Sequence, residues 1–293
     1  MGESFTAMDE SFILSEFDRL QQSGLALYDE NQQIIEHIDG ELQFQFCLTS
    51  ALAKKPNLQT PHSTTDERRD GSDISTAGFE IGEIGNAHLL IANKFCFAKP
   101  HFLLLTSDGY RRQYESLNET DLQAIWSLLS TMSTDYLAFF NCGQDGGCSR
   151  LHKHMQLIPM PGGTFASFLD SDGNQPEPEV PFQWFYHRFD SGDVSLQHLT
   201  GIYNKLLEQA TEVGGGLSEN AHAALPGAAC PHNMIMTKRW MIVVPRRRAA
   251  INKAVAANAL GMLGYIAVAT KGEMDEWIRT GPTGALKKFG VSK

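Results

Sequence analysis

The segment Leu151-His-Lys-His-Met-Gln-Leu-Ile-Pro159 alternates in a way that predicts an extended strand. Residues two apart in a strand point the same way, so His152, His154 and Gln156 are expected on one face. A neutral imidazole is a good nucleophile toward phosphorus, and the resulting phosphorus–nitrogen bond is labile to a second nucleophile. A histidine on such a face can therefore carry a nucleotidyl group between two partners, splitting one transfer into two easier steps. That chemistry also needs donors for the non-bridging oxygens and cations for the leaving polyphosphate.

The residues before the strand offer the first of these. Asn141-Cys-Gly-Gln-Asp-Gly-Gly-Cys-Ser-Arg150 is a glycine-rich loop whose glycines let backbone N–H groups approach an anion, and Ser149 and Gln156 add side-chain donors. Lys54, Lys55, Lys94 or Arg246 can supply the cations. The triplet Arg246-Arg247-Arg248 reads equally well as a solvated strand end. A His-x-His pair near Cys148 also suits zinc, but no third and fourth ligands stand at zinc-like spacing, so no metal-ligating residue is assigned. A phosphate-binding loop would favour the Cys148 thiolate and make that cysteine oxidation-sensitive.

The elements that must position this site are partly visible. His88-Leu-Leu-Ile-Ala92 and Phe102-Leu-Leu-Leu-Thr106 read as buried strands, as do Asn233–Thr237 and Trp240–Val244. Thr120-x-x-Gln123 reads as a capping box opening a helix that carries Leu122, Ile125, Trp126, Leu129 and Met132 at helical spacing. His88 and His187 lie on apolar runs and read as core residues, whereas His101 suits a structural hydrogen bond near the site. The polar stretch Thr64–Asp73 reads as a mobile loop with Arg68 and Arg69 solvated, and Gly214–Ser218 as a flexible one. Ser171–Pro181, rich in proline and acidic residues, suggests a boundary between residues 1–175 and 180–293, packed as one compact unit.

Composition narrows the partners. The 293 residues, 42% hydrophobic and 20% charged, suffice for a sizeable core. Lys plus Arg number 24 against 34 Asp plus Glu, a net charge of −10, which argues against non-specific binding to nucleic acid or an anionic membrane. The five cysteines show no paired spacing, which fits a reducing cytoplasmic or nuclear compartment, and no run is long and apolar enough to span a bilayer.

His152-x-His154-x-Gln156 behind a Ser-containing glycine-rich loop resembles the signature of the transferase branches of the histidine-triad superfamily. Ala51-Leu-Ala-Lys-Lys-Pro56, Ala92-Asn-Lys-Phe95, Pro100–Leu104, Asn141, Asn233–Trp240, Asn258-Ala-Leu-Gly261 and Asp275-Glu-Trp277 resemble the fungal ATP adenylyltransferases, also called diadenosine tetraphosphate phosphorylases. The resemblance is weakest between Asn57 and Ala77. It implies an α+β, histidine-triad-like fold with a mostly antiparallel sheet built from both halves and helices packed against it. It further implies phosphorolysis of diadenosine tetraphosphate to ATP and ADP, and the reverse, through a covalent adenylyl-histidine. A divalent cation such as Mg2+ would accompany the polyphosphate, no organic cofactor is expected, and adenylyl sulfate is a further possible substrate.

In that mapping His154 is the nucleophile, His152 orients it or braces the loop, and Gln156 donates to the α-phosphate. Lys54, Asn93, Lys94, Asn141, Gly147, Cys148, Ser149, Asn233 and Thr237 fall at or beside substrate-binding positions, with Lys55 equally placed to be the lysine of its pair. The partners implied are small molecules: the dinucleoside polyphosphate, ATP, ADP and phosphate. The alternatives carried forward are a nucleotide-sugar uridylyltransferase, a non-catalytic dinucleotide sensor and a metal-dependent hydrolase.

Overall fold

Tyr136-Leu-Ala-Phe-Phe-Asn-Cys142 is buried at every position, as a strand must be when both faces of its sheet are covered. In a computed structural model that describes residues 8–54, 68–171, 175–189, 194–214 and 225–293, this strand lies near the middle of an eight-stranded sheet. Along the chain, α1 (Glu10–Gln22) precedes β1 (Leu27–Tyr28), β2 (Gln33–Asp39), β3 (Leu42–Leu48), β4 (Glu80–Ile84), β5 (His88–Ala92), β6 (Phe95–Cys96) and β7 (Phe102–Thr106). Then come α2 (Glu119–Thr131), β8 (Tyr136–Cys142), β9 (His154–Pro159), β10 (Phe185–Arg188), α3 (Leu196–Val213), β11 (His232–Met236) and β12 (Trp240–Pro245). The chain ends with α4 (Ala259–Met262), β13 (Tyr265–Val268), α5 (Lys271–Thr280) and α6 (Pro282–Phe289).

The large sheet runs β10-β12-β11-β8-β9-β7-β5-β4, and every pairing in it is antiparallel. Strands from before and after residue 175 meet in its centre, where Asn141 of β8 lies opposite Asn233 of β11. Alternation decides what each face buries. Phe140, Met155, Leu157, Met234 and Met236 join Phe17, Leu122, Ile125 and Tyr203 on the side of α1, α2 and α3. Phe139, Ile158 and Ile235 join Phe44, Phe46, Leu260, Trp277 and Phe289 on the other, beneath the smaller sheet β13-β3-β2. This is the α+β, mostly antiparallel architecture expected from the sequence.

The helix over 119–131 forms, but its cap differs from the one expected at Thr120. Asn118 is the N-cap, its side chain accepting from the Asp121 N–H while Asp121 accepts from the Asn118 N–H. Two overlapping cap sequences compete here, and the winner is the one that turns Asp121 inward to meet Lys153 and His88. Trp126 is only half-buried and packs edge-on against Phe189. The described end of the Thr64–Asp73 stretch is anchored: Asp73 accepts the N–H groups of Leu151 and His152, both at 2.8 Å. Residues 55–67 and 215–218, which hold the rest of the two loops read as mobile, lie outside the described residues.

Candidate active site

β9 opens at His154 and is held on both sides, by β7 through Leu105↔His154 and by β8 through Phe139↔Gln156. His154 and Gln156 therefore share a face, as the alternation requires. His154 Nδ1 lies 2.8 Å from the backbone oxygen of His152, so the tautomer that satisfies this contact donates from Nδ1 and carries no proton on Nε2. Gln156 is fixed through its oxygen, which accepts from His101 Nε2 at 2.9 Å. Its NH2 group is left as the donor. His101 is itself held beside Asn93, whose Nδ2 stands 3.0 Å from Nε2 and 3.3 Å from Nδ1, and against Phe97 edge-on.

The His152 ring does not join this face. It is fully buried, with Nδ1 2.8 Å from Ser72 Oγ and Nε2 3.0 Å from both the oxygen and Oγ1 of Thr106. Both ring nitrogens are thus engaged, which also removes the ring as a zinc ligand. Burial holds its pKa below the usual histidine value. His152 orients His154 with its carbonyl and braces the 72–75 segment with its ring.

Two cavities meet at this point. One, of about 320 Å3, is lined by Asn93, Asn141, Gly147, Cys148, Ser149, His154 and Gln156. Its far wall is small and apolar, from Ala256, Ala257, Gly261 and Ile266 together with Leu52 and Phe97. The other, of about 470 Å3, shares Asn93, Phe95, Ser149, His154 and Gln156 with the first. It continues between an apolar wall of Ile74, Phe79, Ile91 and Leu103 and the cations Arg68, Lys94 and Arg150. Arg68, expected to be solvated, lines this cavity because Arg68 bridges to Ser75 and brings the segment onto the sheet. The side chain of Lys54 and the whole of Lys55 lie outside the described residues.

The glycine-rich loop owes its shape to conformation rather than to free N–H groups. Gly147 has φ +89°, and a Cβ there would stand 2.8 Å from the Ala257 oxygen. Its N–H donates to the Gln144 oxygen and that of Cys148 to the Gly143 oxygen, so neither is available to an anion. Cys148 is not an activated thiol either. Burial, with Asp73 and Asp145 adding to it, pushes its pKa up to about 12.

Asn233 and Thr237 line neither cavity. Asn233 lies one layer behind, donating to Asn141 Oδ1 at 2.9 Å and to the Gly146 oxygen at 2.7 Å. Asn141 Oδ1 also accepts the Ala259 N–H, which leaves the Asn141 NH2 to donate into the first cavity. Thr237 stands at the opposite end of β11, roughly 13 Å away along the strand, where its Oγ1 accepts the N–H groups of Arg239 and Trp240 in a hairpin turn. Four residues of a strand separate the two roles.

Arg246 is neither solvated nor a clamp. It is buried, and its guanidinium donates to uncharged oxygens: Asn233 Oδ1 and the backbone of Gly146, Arg248, Ala257 and Phe289. Burial pulls its pKa down to about 9. Arg247 and Arg248 are exposed. Among the described residues no group of three His, Cys, Asp or Glu side chains could hold a metal ion, and no helix is long and apolar enough to cross a membrane.

A histidine strand at the junction of two cavities, one small and apolar at its far end and one cationic, defines a site for group transfer on an extended anionic substrate. Comparison with known proteins agrees. Residues 17–167 match the family described as Ap4A phosphorylase N-terminal domain, and residues 178–292 that described as ATP adenylyltransferase C-terminal domain. The chain is 27% identical over 240 residues to the Saccharomyces cerevisiae protein APA1, covering 75% of this chain and 73% of the relative. It is 27% identical over 260 residues to diadenosine 5',5'''-P1,P4-tetraphosphate phosphorylase 2 of the same yeast, covering 80% and 78%. The fold superposes on the crystal structure of yeast Ap4A phosphorylase Apa2 with a TM-score of 0.76 at 20% identity, covering 98% of this chain and 99% of that one. On the same protein in complex with Ap4A the TM-score is 0.75. The chain belongs to the Ap4A phosphorylase family and is an enzyme of that type.

Proposed function

We propose that this chain catalyses phosphorolysis of diadenosine tetraphosphate to ATP and ADP, and its reverse, through an adenylyl group carried on His154. The observation that carries this reading is that both cavities open onto His154 and Gln156. One adenosine occupies the smaller cavity against Ala256, Ala257 and Gly261, which sets its α-phosphorus before Nε2. The polyphosphate and the departing ATP occupy the larger cavity beside Arg68, Lys94 and Arg150.

In the first step the Nε2 lone pair forms a bond to the α-phosphorus, and the bridging P–O bond breaks with its electron pair leaving on ATP. The ring becomes cationic, and the His152 carbonyl, 2.8 Å from Nδ1, stabilises that charge. In the second step an oxygen of inorganic phosphate attacks the same phosphorus, ADP departs and the imidazole is restored. Adenylyl sulfate would follow the same course, sulfate leaving in place of ATP in the first step and phosphate attacking in the second to give ADP. The Gln156 and Asn141 NH2 groups donate to the non-bridging oxygens in both steps. A divalent cation, where one takes part, arrives bound to the polyphosphate as part of the substrate.

Incubation with diadenosine tetraphosphate in the absence of phosphate is expected to leave an adenylyl-sized mass gain on the intact protein, erased on adding phosphate. ATP and ADP appearing with no adduct would replace this mechanism by direct displacement. Gln156→Ala is expected to lower kcat by about 10²–10³-fold, the usual cost of losing one transition-state donor, with KM little changed. A kcat within a few-fold of wild type would remove Gln156 from the reaction.

A further inference from the structure

β8 and β9 are antiparallel neighbours in register from Tyr136↔Pro159 to Phe139↔Gln156. Continued, that register would set Asn141 opposite His154. It does not continue, although both strands do: β8 stays paired with β11 to Cys142, and β9 with β7 to His154. The two strands therefore part at the residues that face the smaller cavity.

The gap is filled by the connection between β7 and α2, at Gln113. Its side-chain oxygen accepts the His154 N–H at 2.7 Å, and its NH2 donates to the His154 oxygen at 3.0 Å and the Asn141 oxygen at 3.1 Å. One N–H faces the oxygen and two carbonyls face the nitrogen, so the amide has a single satisfiable orientation. The backbone of Gln113 does the same one step further out, donating to the Leu151 oxygen at 2.8 Å and accepting the Gly143 N–H at 3.0 Å. The side chain is 1% exposed, too deep to touch a ligand, and it lines neither cavity.

We infer that Gln113 is a positioning residue for the transfer reaction: its amide wedges β8 from β9 and fixes the separation between the His154 backbone and the Asn141 donor that the α-phosphate must enter. A direct ladder between the strands would draw Asn141 and His154 to the spacing of paired residues, about 4.5–5.5 Å between Cα atoms. The glutamine adds one side-chain amide to that spacing while keeping the His154 N–H, the His154 oxygen and the Asn141 oxygen hydrogen-bonded. The inference rests on the adenylyl-histidine reading above.

The test is Gln113→Met, which keeps the length and removes the amide, measured as the single-turnover rate of adenylyl-enzyme formation alongside the Kd for AMP. A nucleophile displaced by about 1 Å is expected to lose roughly 100-fold in that rate. The Kd is expected to change less than about threefold, since the adenosine-binding wall is formed by other elements. A general loosening of the fold would instead weaken AMP binding in step with the rate. Should the methionine variant fail to fold, Gln113→Glu, isosteric and keeping the acceptor for the His154 N–H, carries the test with an expected loss of about tenfold. A folded variant of either kind with the wild-type rate overturns the inference. If the wild-type enzyme itself forms no adduct, the adenylyl-histidine reading falls. The position of His154 is then read from its ring NMR signals, which are expected to shift in Gln113→Met and would refute the wedge if unchanged.

Discussion

Replacing His154 by alanine is expected to remove the mass adduct completely and to lower the rate of ATP and ADP formation by about 10⁴-fold or more. The size follows from what the side chain does: a group that forms the covalent bond is not replaced by its neighbours, and loss of a nucleophile elsewhere costs up to about 10⁶ in kcat. No described neighbour is placed to substitute. The His152 ring is turned away and held by Ser72 and Thr106, Cys148 is kept as a thiol by burial, and the Ser149 hydroxyl is a far weaker nucleophile without a base to activate it. Affinity for AMP should stay close to wild type, because the apolar wall and the Asn141 donor remain. Rate assays at saturating phosphate, with AMP binding measured by calorimetry, separate the two quantities. A variant retaining even a hundredth of the activity would mean that phosphate attacks the α-phosphorus directly, and His154 would then be a binding residue.

The second large effect concerns Lys153, between the two histidines but on the opposite side of the strand. Its Nζ is fully buried and donates at 2.6 Å to both Asp121 Oδ2 and the Ser116 oxygen, while Asp121 Oδ1 stands 2.8 Å from His88 Nε2. Lys153→Met leaves a buried carboxylate without its cation, which is expected to cost about 3–5 kcal/mol. For a chain of this size that lowers Tm by on the order of 10 °C. Asp121 also gives the effect a pH signature. Burial pushes its pKa up, but the His88 hydrogen bond and the Lys153 charge outweigh burial and hold it below the usual carboxyl value. A depressed carboxyl stabilises the fold above its unfolded pKa and loses that contribution as the pH falls through the folded value. The gap in stability between wild type and Lys153→Met should therefore be full at neutral pH and shrink in acid. Urea titrations at several pH values measure it, and a neutral-pH difference under about 1 kcal/mol would show that the pair contributes no net stability.

What the sequence revealed and what it hid follow from how local each signal is. Period-two alternation places His154 and Gln156 on one face without tertiary information, and the apolar runs of β5, β7, β11 and β12 needed only short-range pattern. The alternation does not reach His152, because the strand begins at His154 and the residues before it pair with the 111–113 segment instead. Gln113 carried no signal at all. A glutamine in a polar stretch becomes decisive only when two strands diverge around it. The cavity wall of Ala256, Ala257 and Gly261 was hidden for the opposite reason, since small residues mark a space and not a chemistry. Arg246 was legible as a cation but not as a buried one, and Asn233 and Thr237, four apart on one strand, looked equivalent until the sheet put them at opposite ends.

Arg246 closes the back of the glycine-rich loop through the Gly146 oxygen. Its guanidinium holds the Gly146 and Ala257 oxygens and Asn233 in place, yet the partners it donates to are all uncharged, and burial pulls its pKa down to about 9. The fold thus encloses a positive charge directly behind the glycine-rich loop that lines the smaller cavity. Under the proposed function a phosphate on the other side of that loop adds a counter-charge to that of Asp145, so occupancy and folding free energy are expected to be linked. The linkage is expected to distinguish ligands by charge: a nucleotide should raise Tm more than the bare nucleoside filling the same cavity.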